Sequence, residues 1–271
     1  MKGVVRIKLL FWNLARNSIE KYIADIIIEN DIDICIFAEY SNINFEMVLS
    51  QLNNSHTIIE GMGGCDKITL IARSGYDVEI RREQNRYTIY SVSDKTDSFI
   101  IAVIHLQDRL NSDSDTRKNT IRKLVKDIKE QEKLLKHDNT IVIGDFNASP
   151  FDEELVQKDA FNAVLFKDLI LRKEYVVVER TEYRRFYNPM LNCFSEDDST
   201  YGSHYYDPGI KSIYWYFFDQ VIVRKSLVNR IERIEIIKAI NNQRLIKAVK
   251  PNSTISDHLP LLVKFERRIR G

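Results

Sequence analysis

Residues 141–150 read IVIGDFNASP. Three β-branched residues and a glycine form a short apolar run, the pattern of a strand buried on both faces. The polar string Asp145-Phe146-Asn147 follows where that strand must leave the sheet. Ser149-Pro150 predicts a cap and first residue of a following helix. Outward from this stretch the same grammar recurs: an apolar strand closing on a polar side chain. Residues 5–13 run apolar to Asn13, and DICIFAE at 33–39 ends on Glu39. SFIIAVIH at 98–105 ends on His105, YWYFFDQVIV at 214–223 carries Asp219, and SDHLPLLVKFE at 256–266 sets Asp257 and His258 before a final strand.

Between these strands the periodicity shifts. Asn17 with Glu20 suggests a capping box, and Ile19, Tyr22, Ile23, Ile26 and Ile27 recur at helical spacing. From 56 to 105 the segments HTIIE, KITLIA, DVEIR, RYTIYSV and SFIIAVIH predict consecutive short strands, an antiparallel meander. Residues 115–136 predict the longest helix, with Ile121, Leu124, Val125, Ile128 and Leu135 on one face. Residues 179–216 predict an aromatic-rich loop. Strands interleaved with a few helices over both halves predict two sheets packed face to face, helices outside.

Composition bounds the function. The chain of 271 residues is 44% hydrophobic and 29% charged, so a packed core is expected throughout. Forty basic residues against thirty-nine acidic leave +1, which argues against polyanion binding over the whole surface but permits a local basic groove. Cys35, Cys65 and Cys193 show no CxxC spacing, so neither a disulfide framework nor a zinc ribbon is indicated, and a reducing, cytoplasmic setting is expected. VVRIKLLFWNLA is broken by Arg6 and Lys8 and reads as a strand, not a signal peptide, and no run is long enough for a membrane span. GMGGCD lacks the spacing of phosphate-cradling glycine motifs, so no nucleotide cofactor is expected. Nothing in the sequence fixes the oligomeric state.

Taken singly, each polar strand end has an ordinary reading. Asn13 suits a helix cap, Glu39 a surface carboxylate, His105 a hydrogen-bonded core histidine, and Asp145 with Asn147 an Asx turn. Asp219 inside so apolar a run needs a partner. Taken together and in order, FWN, FAE, IHLQD, GDFNASP, FFDQVIV and SDHLPLLV resemble the motifs of the endonuclease/exonuclease/phosphatase superfamily, over about residues 5–267. AEYSN, where a Gln usually precedes the Glu, and Gln220 after Asp219 depart from the family pattern.

The resemblance implies a single domain, 1–271, of class α/β (α+β), built as a four-layered αββα sandwich with the site on one rim. It implies Mg²⁺, with Mn²⁺ as a substitute, held by Glu39 with Asn13 and Asp257. Oxygen ligation with retained waters is what Mg²⁺ prefers. His258 is the implied catalytic histidine and Asp219 its orienting carboxylate, while Asp145 and Asn147 align water and grip a phosphate oxygen. His105 is the implied donor to the scissile phosphate. Either Asp145 or the His258–Asp219 pair would serve as base. Arg117, Arg184 and Arg185 are candidate substrate contacts, although an exposed helix arginine also fits Arg117. A nuclease acting on nucleic acid leads, ahead of phosphodiesterase or phosphomonoesterase action on a phospholipid, inositol phosphate or other small ester, and of a silent binding module.

Overall fold

The computed structural model describes residues 6–108, 112–193, 202–207, 209 and 214–266. Residue 5 of the expected first strand, residue 267 and parts of the 179–216 segment lie outside the described residues.

Two large sheets face each other. The first contains β1 (Arg6–Asn13), β2 (Ile34–Ala38), β3 (His56–Ile59) and β4 (Ile68–Arg73). With them pair a late strand, Ile231–Ile236, and the last strand, Leu261–Glu266. The second sheet contains β5 (Asp77–Gln84), β6 (Tyr87–Ser93), β7 (Ser98–His105) and β8 (Thr140–Asp145). Beside β8 runs the strand Asp219–Val223, and two-residue strands close that edge. β1 pairs parallel with β2, and β7 parallel with β8. This is the expected sandwich.

Alternation within the strands explains the layers. Ile101 and Val103 of β7, Ile141 and Ile143 of β8, and Val221 and Val223 join the core that includes the first sheet. Their neighbours Ile100, Ala102, Ile104, Val142 and Ile222 turn the other way, onto Ile121, Leu124 and Ile128 of the helix α1 (Ser114–Leu135). Each such Ile, Leu or Val, removed from water, contributes roughly 1.5–3 kcal/mol. The amphipathic face predicted for this helix is the one buried, and Asp113 caps it by accepting from the Thr116 amide at 2.7 Å. On the first sheet, Ile23, Ala24, Ile26 and Ile27 of the helix Glu20–Asn30 pack inward. Among the described residues no helix is long and apolar enough to cross a membrane.

Four local expectations are corrected. The five strands from 56 to 105 are not one meander: β3 and β4 belong to the first sheet and β5 to β7 to the second, the chain crossing between sheets at the Ser74-Gly75 turn. No capping box starts the helix at Glu20. The Asn17 amide instead donates to the carbonyls of Ser253 and Ile255, and the Glu20 carboxylate accepts from the Asn44 amide. Ser149-Pro150 does not open a helix either, since the helical turn begins at Glu153 with Asp152 as its N-cap. Part of the segment expected to be loop is a hairpin, Tyr175–Val178 paired with Thr181–Arg184.

Candidate active site

Strand register brings the polar ends together. His105 ends β7 opposite Asp145, the last residue of β8, and Asp145 in turn pairs with Asp219 on its other side. His105, Asp145 and Asp219 therefore form one rung across three strands of the second sheet. On the first sheet Asn13 pairs with Ala38, so Glu39 leaves β2 at the same level. Gly144 makes the approach possible: a Cβ there would lie 1.9 Å from the Ile104 carbonyl oxygen, and its φ is +152°.

The two rims meet through hydrogen bonds. The Asn13 amide donates to Asp145 Oδ2 at 3.1 Å, and Asp145 Oδ1 accepts from the Asn147 backbone N–H at 2.8 Å. Asn147 Nδ2 donates to the Leu106 carbonyl at 2.9 Å, which fixes its side chain across from β7. Glu39 Oε1 lies 3.4 Å from His105 Nε2, and Glu39 Oε2 lies 3.3 Å from Arg16 Nε. Glu39 and Asn147 both sit at positive φ, 49° and 45°. Left-handed backbone at non-glycine residues costs on the order of 1–3 kcal/mol and is retained where neighbours over-determine it. Here the Glu39 amide donates to the Lys67 carbonyl and its own carbonyl accepts from Arg16.

His258 is anchored from every side. Its Nδ1 lies 2.8 Å from Asp219 Oδ2, its backbone amide donates to Ser256 Oγ, and its carbonyl accepts from the Trp12 indole at 3.0 Å. The Ser256 hydroxyl donates in turn to the Asn13 carbonyl. Burial opposes charge on His258, but the Asp219 carboxylate beside it and the hydrogen bond they share overcome that, and the imidazole is raised to about 10. Burial pushes the Asp219 carboxyl up while His258 holds it down. The pair holds one proton well above neutrality, on the imidazole. Glu39 behaves oppositely: the hydrogen bond to His105 draws it down, burial resists, Arg16 assists, and the carboxyl falls to about 2.

A cleft of about 590 Å³ opens over this constellation, lined among others by Asn13, Glu39, His105, Asp145, Asn147 and His258. The remaining expected residues lie elsewhere. Asp257 is exposed and does not line this cleft, its carboxylate grouping with His204 and His258 within 4.8 Å. Arg117 is neither the exposed helix residue nor the phosphate contact considered from sequence. It is 1% exposed, ion-paired to Glu154 at 3.0 Å, and donates to the carbonyls of Gln107, Phe146 and Asn147. The guanidinium thus holds the loop that carries Asn147. Arg184 is taken up in ion pairs with Glu132, Asp138 and Glu174, and Arg185 donates to the Lys173 carbonyl, so neither reaches the cleft.

Sequence reasoning missed two supporting residues. Gln220, fully buried, donates to the Ala148 carbonyl at 2.5 Å and accepts from Asn188 Nδ2 at 2.8 Å, bracing the Asp145–Ala148 loop. Its signal was a second polar residue directly after Asp219 in an apolar run. Ser203 accepts from the Asp219 amide through its hydroxyl and from the Leu259 amide through its carbonyl, clamping both ends of the pair. Nothing in the string GSHYY marks that role.

No family model and no curated protein matches this chain. Solved structures do. A truncated Caenorhabditis elegans TDP2 aligns with a TM-score of 0.58 at 14% identity, covering 96% of this chain and 98% of that one. The human Nocturnin catalytic domain, solved with a bound sulfate, aligns with a TM-score of 0.57 at 18% identity over 97% and 94%. An endonuclease/exonuclease/phosphatase from Bacteroides vulgatus gives 0.57 at 12% identity over 97% and 100%. Together with the two facing sheets, these likenesses show that the chain has the endonuclease/exonuclease/phosphatase fold.

Proposed function

We propose that this protein is a Mg²⁺-dependent phosphoesterase that cleaves phosphodiester bonds of nucleic acid. The observation that carries the reading is the single rung of His105, Asp145 and Asp219, with His258 locked on Asp219 and Glu39 facing it across the cleft. Fold alone does not assign chemistry. The convergence of an ionised carboxylate, a protonated imidazole and a hydrogen-bonded aspartate in one cleft does narrow it.

The donor set suits a hard dication. Glu39 stays ionised to about pH 2, is partly open to the cleft, and has the Asn13 side chain beside it, so Glu39 with the Asn13 amide oxygen would hold Mg²⁺. Asp257, whose carboxylate groups with His204 and His258, would assist through water. Bound there, the cation supplies charge neutralisation for the phosphoryl oxygens. The protein's own residues divide the remaining work. His258, protonated at neutral pH by Asp219, donates to a phosphoryl oxygen as negative charge grows. It cannot at that pH also be the base. That leaves Asp145, whose Oδ2 lies 4.0 Å from His258 Nε2 and 3.8 Å from His105 Nε2, to take the proton of the attacking water. Asn147 and Asn13 fix the Asp145 carboxylate in place.

Support for nucleic acid as substrate comes from two structural neighbours, a Danio rerio TDP2 complexed with a single-strand DNA product and the Neisseria 3′ phosphatase NExo bound to a product DNA hairpin. The test is digestion of plasmid, linear duplex, single strands and RNA with Mg²⁺, with Mn²⁺ and with EDTA, the Glu39→Ala protein serving as control. Metal-dependent cleavage that vanishes in the control is expected. Wild-type protein inert on every nucleic acid but active on phosphoinositides or small esters would move the substrate class.

A further inference from the structure

Beside Glu39 and His105 the backbone carries two basic residues onto the lining of the cleft. The Glu39 amide donates to the carbonyl of Lys67, and the His105 amide to the carbonyl of Arg86 at 2.9 Å. Lys67 and Arg86 both line the cleft. Both also act on one carboxyl: Asp66 is held below its usual range first by its hydrogen bond to Lys67, with Arg86 contributing. Two cations and Asp66 therefore share the lining of one cleft.

Asp66 is weakly held there. It is 83% exposed, and its 3.2 Å contact is to the residue next in sequence. Such surface pairs contribute about 0–1 kcal/mol and yield readily to a better anion. Arg86 has no ion pair among the described residues. A guanidinium with free donors at the margin of a site for phosphoryl groups matches the bidentate geometry of a second phosphate.

Resting on the phosphoesterase reading, we propose that Lys67 and Arg86 form an anion subsite for a phosphate neighbouring the scissile one. The substrate is then a strand with at least two successive phosphates, and a lone phosphodiester is handled less well. The subsite fixes register and contributes binding, not chemistry.

The experiment compares wild type, Arg86→Ala, Arg86→Lys and Lys67→Ala on bis(p-nitrophenyl) phosphate, which has no neighbouring phosphate, and on a single-stranded oligonucleotide. Affinity for a fluorescent oligonucleotide is measured in parallel in EDTA. Arg86→Ala is expected to raise KM for the oligonucleotide about tenfold with kcat held, and to weaken binding equally. Turnover of the small ester stays within about twofold, and Arg86→Lys recovers part of the loss. Parallel loss on both substrates, or wild-type affinity in Arg86→Ala, overturns the subsite. Arg86-dependent binding by a wild-type protein that cleaves neither substrate keeps the subsite and sinks the hydrolase reading.

Discussion

His258 and His105 both turn Nε2 toward the same oxygen of Asp145, at 4.0 and 3.8 Å, and each has a second carboxylate. What separates them is where that carboxylate sits. Asp219 is fully buried and bonds His258 at 2.8 Å, so the carboxylate has no water to fall back on and the proton stays on the imidazole. Glu39 is partly open and lies 3.4 Å from His105, a contact long enough to be exchanged for something better. The two pairs share residue types and differ in burial. Asp219 makes one a fixed charged donor in spite of burial, whereas His105 and Arg16 keep the other's carboxylate ionised and its partial openness keeps it available.

The sharpest way to break this contrast is to remove His258. His258→Ala should lower kcat by about 10³-fold, since it deletes a donor used as charge develops. A loss under tenfold on an oligonucleotide would show that the buried pair is scaffolding. Asp219→Asn should cost about 10²-fold and bring the alkaline limb of the pH–rate profile down from near 10 toward the ordinary histidine range. The amide still orients the ring but no longer stabilises its charge. An unmoved limb would mean that Asp219 does not set the His258 proton. His105→Ala, on the open side, should cost about 10- to 100-fold, the worth of one hydrogen bond to a charged group. A steeper loss than His258→Ala would reverse the ranking of the two pairs.

The buried pair was also the more legible in sequence. Asp219 within FFDQVIV asks for a partner because an isolated carboxylate in an apolar strand is too costly, and the family resemblance points to His258 as that partner. The sandwich was legible for a related reason: strands covered on both faces read as continuous apolar runs, and the 114–135 helix shows its inward face at every turn. Illegible features depended on contacts remote in sequence or on backbone geometry without its usual residues. Arg117 reads as one more helix cation, and only the fold shows three carbonyls converging on it. The 175–184 hairpin turns at Glu179 and Arg180, both at positive φ, where Asn-Gly would have announced it. Asp257 is exposed and groups with His204 and His258, a placement that its position in SDH does not announce.

The smallest expected effect is on stability, where the two pairs should lean in opposite directions. His258 is raised from its model-peptide range to about 10, so what it adds to stability is complete below pH ~6.5 and fades as pH climbs through 10. Glu39 is lowered to about 2, so its contribution is complete above pH ~4.5 and fades as pH drops through 2. Because Glu39 is partly solvated, screening leaves that contribution on the order of 1 kcal/mol. Urea unfolding of wild type and Glu39→Gln from pH 2.5 to 7 should show a gap that narrows on the acid side. The gap between wild type and Asp219→Asn should narrow instead on the alkaline side, between pH 7 and 10. If the Glu39 gap held constant down to pH 2.5, the carboxylate would owe its ionisation to the cleft's solvent and not to His105 and Arg16. Openness would then be its only distinction from Asp219.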